Sequence, residues 1–281
     1  YYTASKEDIL GLDEYVRPLY EKTHKPSKRK RIVDFNQGID SRLINSANMD
    51  KLAEVNIFPL RIAFDHWKLH DIYERSIRTA VKSGIKSLSN YLLYNFEDEP
   101  EELYLRLRMN VDLCEELGAT IYSFPMKYHP INDKAFFMNR DYIGKRWNRK
   151  FIRAVQAVLN STKGKIGKGV DFFEEAFGCD IEEFRKILWM PETFIIYRRM
   201  YDENLRKRLA ERYTQHSADD CNLANEWWAK FTALPSEKLE IAKGIIALNK
   251  FKDEDIACDD EDIREVLSYY KITRDDAERN R

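Results

Sequence analysis

Polar side chains gather where four apolar runs of this sequence end. Asn36, Gln37, Asp40 and Arg42 follow a run at 32–36, and Asp65, His66 and Trp67 close one at 57–65. Asn95 and Glu97 follow 85–94, and Lys127, Tyr128 and His129 close 120–128. Amides, carboxylates and cations set this way can hold a polar ligand, although each alone also suits a cap or a loop hydrogen bond. A second group is basic: Arg140, Lys145, Arg146, Arg149, Lys150, Arg153, Lys163, Lys165 and Lys168 face only one acid, Asp141, over 140–168. With Tyr142, Trp147 and Phe151 between them, these cations suit a phosphate backbone and the rings suit base stacking. The nucleic-acid contacts expected on this reading are Lys145, Arg146, Arg149, Lys150 and Arg153. The same stretch also reads as an ordinary helix with Trp147, Phe151, Ala154 and Val158 inward and its cations in water.

Other chemistries lack their parts. His66 and His70 stand four apart with Asp65 and Asp71 beside them, a spacing that turns two imidazoles to one side of a helix. No third ligand is defined and His-Glu-x-x-His is absent, so no metal site is assigned. Gly-x-Ser-x-Gly, Gly-x-Gly-x-x-Gly and the phosphate-loop motif are also missing. Gly164, Gly167 and Gly169, interspersed with lysines, suit a flexible basic loop better than a nucleotide cradle. Cys114, Cys179, Cys221 and Cys258 lie far apart, giving neither a zinc pattern nor a disulfide framework and favouring a reducing, cytoplasmic setting.

The elements that position these residues follow from periodicity and punctuation. A helix is expected at 5–22, then a basic linker around Pro26 that reads as a solvated loop or a phosphate contact. From 32 the pattern alternates: strand 32–36, helix 45–55, strand 57–65, helix 70–83, strand 85–94, helix, and strand 120–128. The last helix of this series needs a decision, because Leu103, Leu105, Leu107, Met109, Val111 and Leu113 alternate at strand period. Pro100 at the first helical position, acids around it and Gly118 at the end favour a helix, with Leu103, Leu107, Cys114 and Leu117 buried. After Pro130 no strand is expected, only helices at 141–160, 170–177, 180–190, 192–214, 220–233, 236–250 and 260–271, with 274–281 frayed.

Composition sets wide bounds. The 281 residues, 43% apolar and 13% aromatic, suffice for one large or two ordinary cores. Lys and Arg number 47 against 48 Asp and Glu, so no global field favours nucleic acid or a membrane surface. No apolar run approaches the roughly 18 residues of a spanning helix, and no membrane partner is expected. The sequence opens on Tyr1 rather than Met, which raises the expectation of a portion of something longer.

Four stretches carry a family resemblance: Asp-Phe-Asn-Gln-Gly-Ile-Asp-Ser-Arg at 34–42, Pro-Leu-Arg-Ile-Ala-Phe-Asp at 59–65, Asn-Tyr-Leu-Leu-Tyr-Asn-Phe-Glu-Asp-Glu-Pro-Glu-Glu at 90–102, and Tyr-Ser-Phe-Pro-Met-Lys at 122–127. Over about 30–165 the chain resembles the later strands of radical S-adenosylmethionine proteins, in particular bacterial members with a cobalamin-binding-type N-terminal region. The resemblance implies a partial (β/α) barrel in which a [4Fe-4S] cluster, held by Cys-x-x-x-Cys-x-x-Cys, binds S-adenosylmethionine and reduces it to a 5′-deoxyadenosyl radical. That cysteine motif is absent here, and so is a Gly-Gly-Glu-like motif after the second strand. The cluster ligands are therefore expected outside this chain, on a missing N-terminal half acting as partner, and the chain is not expected to be active alone.

The expected fold is α/β: a partial (β/α) TIM-like barrel of later, parallel strands, then an all-α C-terminal region. The divisions expected are a helix and basic linker at 1–30, the barrel portion at 31–169 and a helical domain at 170–281. By position, Asn36, Gln37, Arg42, Asp65, Asn95 and Glu97 are the expected S-adenosylmethionine or substrate contacts. The alternative is a non-catalytic nucleic-acid- or protein-binding module built on a degenerate barrel of this kind.

Overall fold

A computed structural model describes residues 32–139, 141–210, 222–254, 256 and 258–279 of the chain. The helix and linker expected before residue 32, Arg140, Cys221, and the end of the helix expected at 192–214 lie outside the described residues.

Three parallel strands, β1 (Leu60–Arg61), β2 (Ser87–Tyr94) and β3 (Thr120–Lys127), stand side by side in chain order. Leu60 pairs with Leu88, and Tyr91 with Phe124. The expected strand at 32–36 forms only one isolated parallel bridge, Val33 to Ile57, because a turn follows where the Gly38 N–H reaches the Phe35 carbonyl at 2.9 Å; a second bridge, Ile39 to Ile62, lies beyond the turn. On the far side Ile166 bridges Ser123 in antiparallel sense. The lysine- and glycine-rich loop expected to be flexible is thus tied to the sheet edge. Its Lys165 lies 3.7 Å from the Tyr122 ring centroid, and a Cβ on Gly167 would come within 2.9 Å of that ring.

Helices α1 (Ser46–Ala53), α2 (His70–Lys82) and α3 (Pro100–Leu117) connect the strands. Asn45 and Asn48 cap α1 reciprocally, each side chain accepting from the other's backbone N–H. Pro100 opens α3 and Gly118, at φ 58, ends it in the left-handed conformation. The strand-like alternation of α3 has a packing cause. Leu103 and Leu107 are buried, and Tyr104 meets Phe173 and Phe184 of the helical region, so α3 buries more than one face and its apolar stripe is broad.

Between sheet and helices runs a buried polar chain. The Tyr73 hydroxyl donates to Asn110 Oδ1 at 2.8 Å and accepts from Asn90 Nδ2 at 2.6 Å, while Asn110 Nδ2 donates to Ser123 Oγ at 2.8 Å. It places α2 and α3 on the same sheet face, where Phe64 stacks on Tyr73 at 4.0 Å.

The rest is helical: α4 (Lys134–Asn139), α5 (Arg149–Ser161), α6 (Val170–Phe177), α7 (Ile181–Trp189), α8 (Glu192–Ile196), α9 (Arg198–Tyr201), α10 (Glu203–Arg208), α11 (Leu223–Ala233), α12 (Ser236–Ala247), α13 (Glu261–Ser268) and α14 (Arg274–Arg279). Three expectations are corrected. The helix expected from 141 begins only at Arg149, because the Asn148 side chain caps it by accepting from the Phe151 N–H. The helix expected over 192–214 breaks into α8, α9 and α10, where Tyr197 leaves helical geometry and Asp202 caps the next segment. Residues expected to fray after 274 form α14, with Asp276 accepting from the Thr273 N–H and hydroxyl. Buried apolar packing is continuous across residue 170, from Leu103 and Ile121 to Phe184, Trp227 and Leu267.

One buried group works against this packing. Lys150, on the first turn of α5, is 1% exposed and its ammonium has no hydrogen-bond partner. Burial pulls its pKa down to about 7, with nearby Glu192 opposing the shift. The unfolded chain binds this proton more tightly, so the folding penalty is full below pH 7 and fades as pH rises toward the ordinary lysine value of 10.5. Lys150→Met is expected to stabilise the fold by up to roughly 4 kcal/mol at pH 6, with the gain shrinking toward pH 10. Urea denaturation of both proteins across that range checks it, and a pH-independent difference would contradict the assignment.

Candidate functional site

The carboxyl ends of β1 and β2 are occupied by the protein itself. Arg106 of α3 is fully buried, and its guanidinium donates to the carbonyls of Phe64 at 3.2 Å, Asp65 at 2.9 Å and Leu93 at 2.9 Å. It also donates to its own helix at the Glu102 carbonyl and to Asp98 Oδ2 at 3.3 Å. Desolvation pushes the Asp98 carboxyl upward and Arg106 downward, so burial outweighs mutual attraction and the carbonyls, not the ion pair, explain the arginine's place. Asp98 is fixed further by the Phe96 N–H, and its carbonyl accepts from the Trp147 indole.

Asn95 makes a second knot. Its Oδ1 accepts from the Gly144 N–H at 2.8 Å, and its Nδ2 donates to the carbonyls of Tyr128 and Tyr142. Asn95 adopts φ 69, tolerable for asparagine, and is fully buried. Gly144 lies so close that a Cβ there would come within 2.5 Å of the Phe96 carbonyl oxygen.

The expected contact residues are therefore scattered. Asn95, expected to meet a ligand, is instead a buried clamp between β2 and the loop after β3. Asn36 and Gln37 are exposed on the turn between the Val33 and Ile39 bridges, beside the sheet edge rather than beyond a strand end. Arg42 is exposed and folded onto Asp40, with Nε to Oδ1 at 2.9 Å and a terminal nitrogen to Oδ2 at 2.6 Å. Asp65 is half-buried and gives its carbonyl to Arg106, while Glu97 is exposed.

The basic set also divides. Lys145 is exposed, Arg146 pairs with Glu99, Arg153 makes a two-point pair with Glu192 at 2.6 Å, and Arg149 is exposed beside a cavity. Lys150, expected on a solvated cationic face, is buried because α5 packs that side into the helical region. His70 stacks on Trp67 and lies 2.9 Å from the Trp67 carbonyl. Among the described residues no group of three His, Cys, Asp or Glu side chains is placed to hold a metal ion.

A more coherent surface lies on the sheet face opposite α2 and α3. Strand alternation turns Arg61, Ser89, Tyr91, Tyr122, Phe124 and Met126 there. Arg61 binds Asp34 at 2.8 and 3.0 Å and Ser89 Oγ at 3.0 Å, and its guanidinium carbon lies 5.4 Å from the Tyr91 ring centroid. This pairing holds the Asp34 carboxyl below its usual range. Tyr91 meets Phe124 at 5.8 Å, and Met126 is exposed at the margin. The face joins a fixed cation to a half-exposed aromatic platform, groups suited to a carboxylate and a planar base. Sequence reasoning passed over these residues by looking past the strand ends. The signal was a charged residue inside an apolar run, Arg61, at the same parity as the aromatic Tyr91 and Phe124.

Compared with known proteins, the chain matches no family model, no curated protein and no solved structure. Among the described residues no helix is long and apolar enough to cross a membrane.

Arg106→Leu strips donors from several buried carbonyls and from Asp98, and is expected to cost about 3–5 kcal/mol in chemical denaturation. The control Arg78→Leu, which removes surface pairs with Glu74 and Glu116, is expected to cost about 1 kcal/mol. Similar losses in the two would contradict the role given to Arg106.

Proposed function

We propose that this chain forms the later-strand sector of a radical S-adenosylmethionine-type (β/α) barrel and supplies part of the wall for S-adenosylmethionine or substrate. The observation that carries the reading is the winding. Successive strands are parallel neighbours in chain order, with α2 and α3 on one face, the winding expected of a barrel sector. Such a singly wound sector leaves its other face for a cavity, and here that face carries Arg61, Tyr91 and Phe124.

The described cysteines do not fit a [4Fe-4S] cluster. The Cys114 thiol is buried, accepts from the Ile121 N–H at 3.2 Å and is pushed upward by burial. Cys179 is pushed up to about 11 by burial and then by Glu183, the reverse of what a thiolate ligand needs. In this reading the cluster and the radical chemistry come from outside the chain, and these residues bind and orient. Tyr91 and Phe124 offer a stacking surface for the adenine, Arg61 faces its carboxylate, and Asp34 and Ser89 hold Arg61 in place. A nucleic-acid-binding module has less support, since Lys150 is buried and Arg146 and Arg153 are already paired.

Saturation-transfer NMR of the full chain with S-adenosylmethionine is expected to show transfer to the adenine protons, reduced severalfold by Tyr91→Ala and by Arg61→Met. Circular dichroism checks that both variants fold, and absence of transfer in the unmodified protein overturns the reading. Anaerobic treatment with iron and sulfide is expected to leave this chain without a [4Fe-4S] spectrum. A stable cluster would contradict the external placement of its ligands.

A further inference from the structure

A separate cavity of about 480 Å³ opens beyond the carboxyl end of β3, between the first turns of α5 and the loop after α12. Arg149, Ile152, Arg153 and Gln156 line one wall, following the helical spacing that puts them on one face of α5. Lys127 comes from the end of β3, Asp141 and Ile143 from the following loop, and Leu248, Asn249 and Lys250 from the far side. The volume falls within the range of small-molecule sites, and Ile143, Ile152 and Leu248 give an apolar part beside a polar one.

Charge identifies the ligand class. Four cations line the cavity against one carboxylate, and Arg153 alone among the arginines is neutralised, by Glu192. Among the described residues neither Arg149 nor Lys250 has a carboxylate partner. Arg149 also stands at the start of a 13-residue helix, where the helix dipole adds positive potential. Lys127 is half-buried and close enough to Arg149 for the two charges to repel, so burial and then Arg149 hold its ammonium below the usual lysine range, with Asp141 opposing. Cations that gather at a helix start and outnumber the carboxylates around them are stabilised by a multivalent anion. Asp141, the one carboxylate on the lining, is an acceptor suited to a hydroxyl.

We propose that this cavity binds a small hydroxylated phosphate monoester, its phosphate between Lys127, Arg149 and Lys250 and its carbon skeleton against Ile143, Ile152 and Leu248. The site is distinct from the Arg61–Tyr91 face and stands or falls independently of the function proposed for it. Basic residues read in the sequence as a nucleic-acid stripe thus acquire a different role, since Arg149 and Arg153 line an open pocket together with Lys127 and Lys250.

Isothermal titration calorimetry of the full chain at fixed ionic strength, with glycerol 3-phosphate, inorganic phosphate, glycerate and glycerol, tests the proposal. The expected result is saturable binding of glycerol 3-phosphate, tighter than inorganic phosphate, with no heat from glycerol. Lys127→Gln and Arg149→Gln are expected to weaken it at least about tenfold, and Lys145→Gln, outside the cavity, to leave it unchanged. Lys250→Gln, on the exposed loop, provides the same readout should Lys127→Gln fail to fold. No saturable binding of glycerol 3-phosphate, equal binding of glycerate, or equal weakening by Lys145→Gln overturns the proposal.

Discussion

A single buried guanidinium holds the ends of this sheet together. Strands that stop inside a protein leave carbonyls which must find donors, and an unmet buried carbonyl costs on the order of 1–3 kcal/mol. Arg106 meets those of Phe64, Asp65 and Leu93 at once, because α3 crosses the ends of β1 and β2 with this residue turned inward. Its five donors in a fixed fork can reach all three, where a lysine would bring a compact charge and only three donors. Asn95 does the same between β2 and the loop after β3. Together they fix where the loops leave the sheet.

That constraint commits the ends of β1 and β2 to the backbone. In parallel α/β folds the strand ends are the first place to look for a ligand, but here donors that would face one are spent on the backbone. Two other surfaces carry groups that suit a ligand. One is the sheet face with Arg61 over Tyr91, and the other is the cationic cavity where β3 ends against α5. The first lies on the strands themselves and needs no loop movement to form. The second depends on how α5 is seated, and its neighbour Lys150 shows the strain of that seating, since an ammonium has been drawn into the packing without a partner.

Much of the architecture was legible in the sequence because it rests on local signals. Pro100 and Gly118 bounded α3 against a misleading alternation, and the apolar runs at 85–94 and 120–128 placed β2 and β3 nearly to the residue. The helix expected from 141 failed because amphipathic spacing continues through Trp147, whereas the backbone before Asn148 is committed to Asn95 through Gly144, a contact 49 residues away in sequence. The site was less legible for the same reason. Asn95 reads as a loop-end amide until its three long-range partners are known, and Lys150 reads as one cation among many until its side of α5 is seen to be buried. Arg61 was visible as a charge within an apolar run, yet only strand parity joins it to Tyr91 and Phe124. Lys250 carried no signal, since its role depends on where α12 ends in space.

The proposed function requires that S-adenosylmethionine is recognised on the sheet face and that the ends of β1 and β2 are structural. Amide chemical-shift mapping of the isotope-labelled chain during a titration with S-adenosylmethionine tests it most directly. Shifts are predicted to saturate together at Arg61, Ser89, Tyr91 and Phe124, with Asn95 and Gly144 unmoved. Shifts centred on Asn95, Gly144 and Glu97, with the Arg61 face unperturbed, would contradict it.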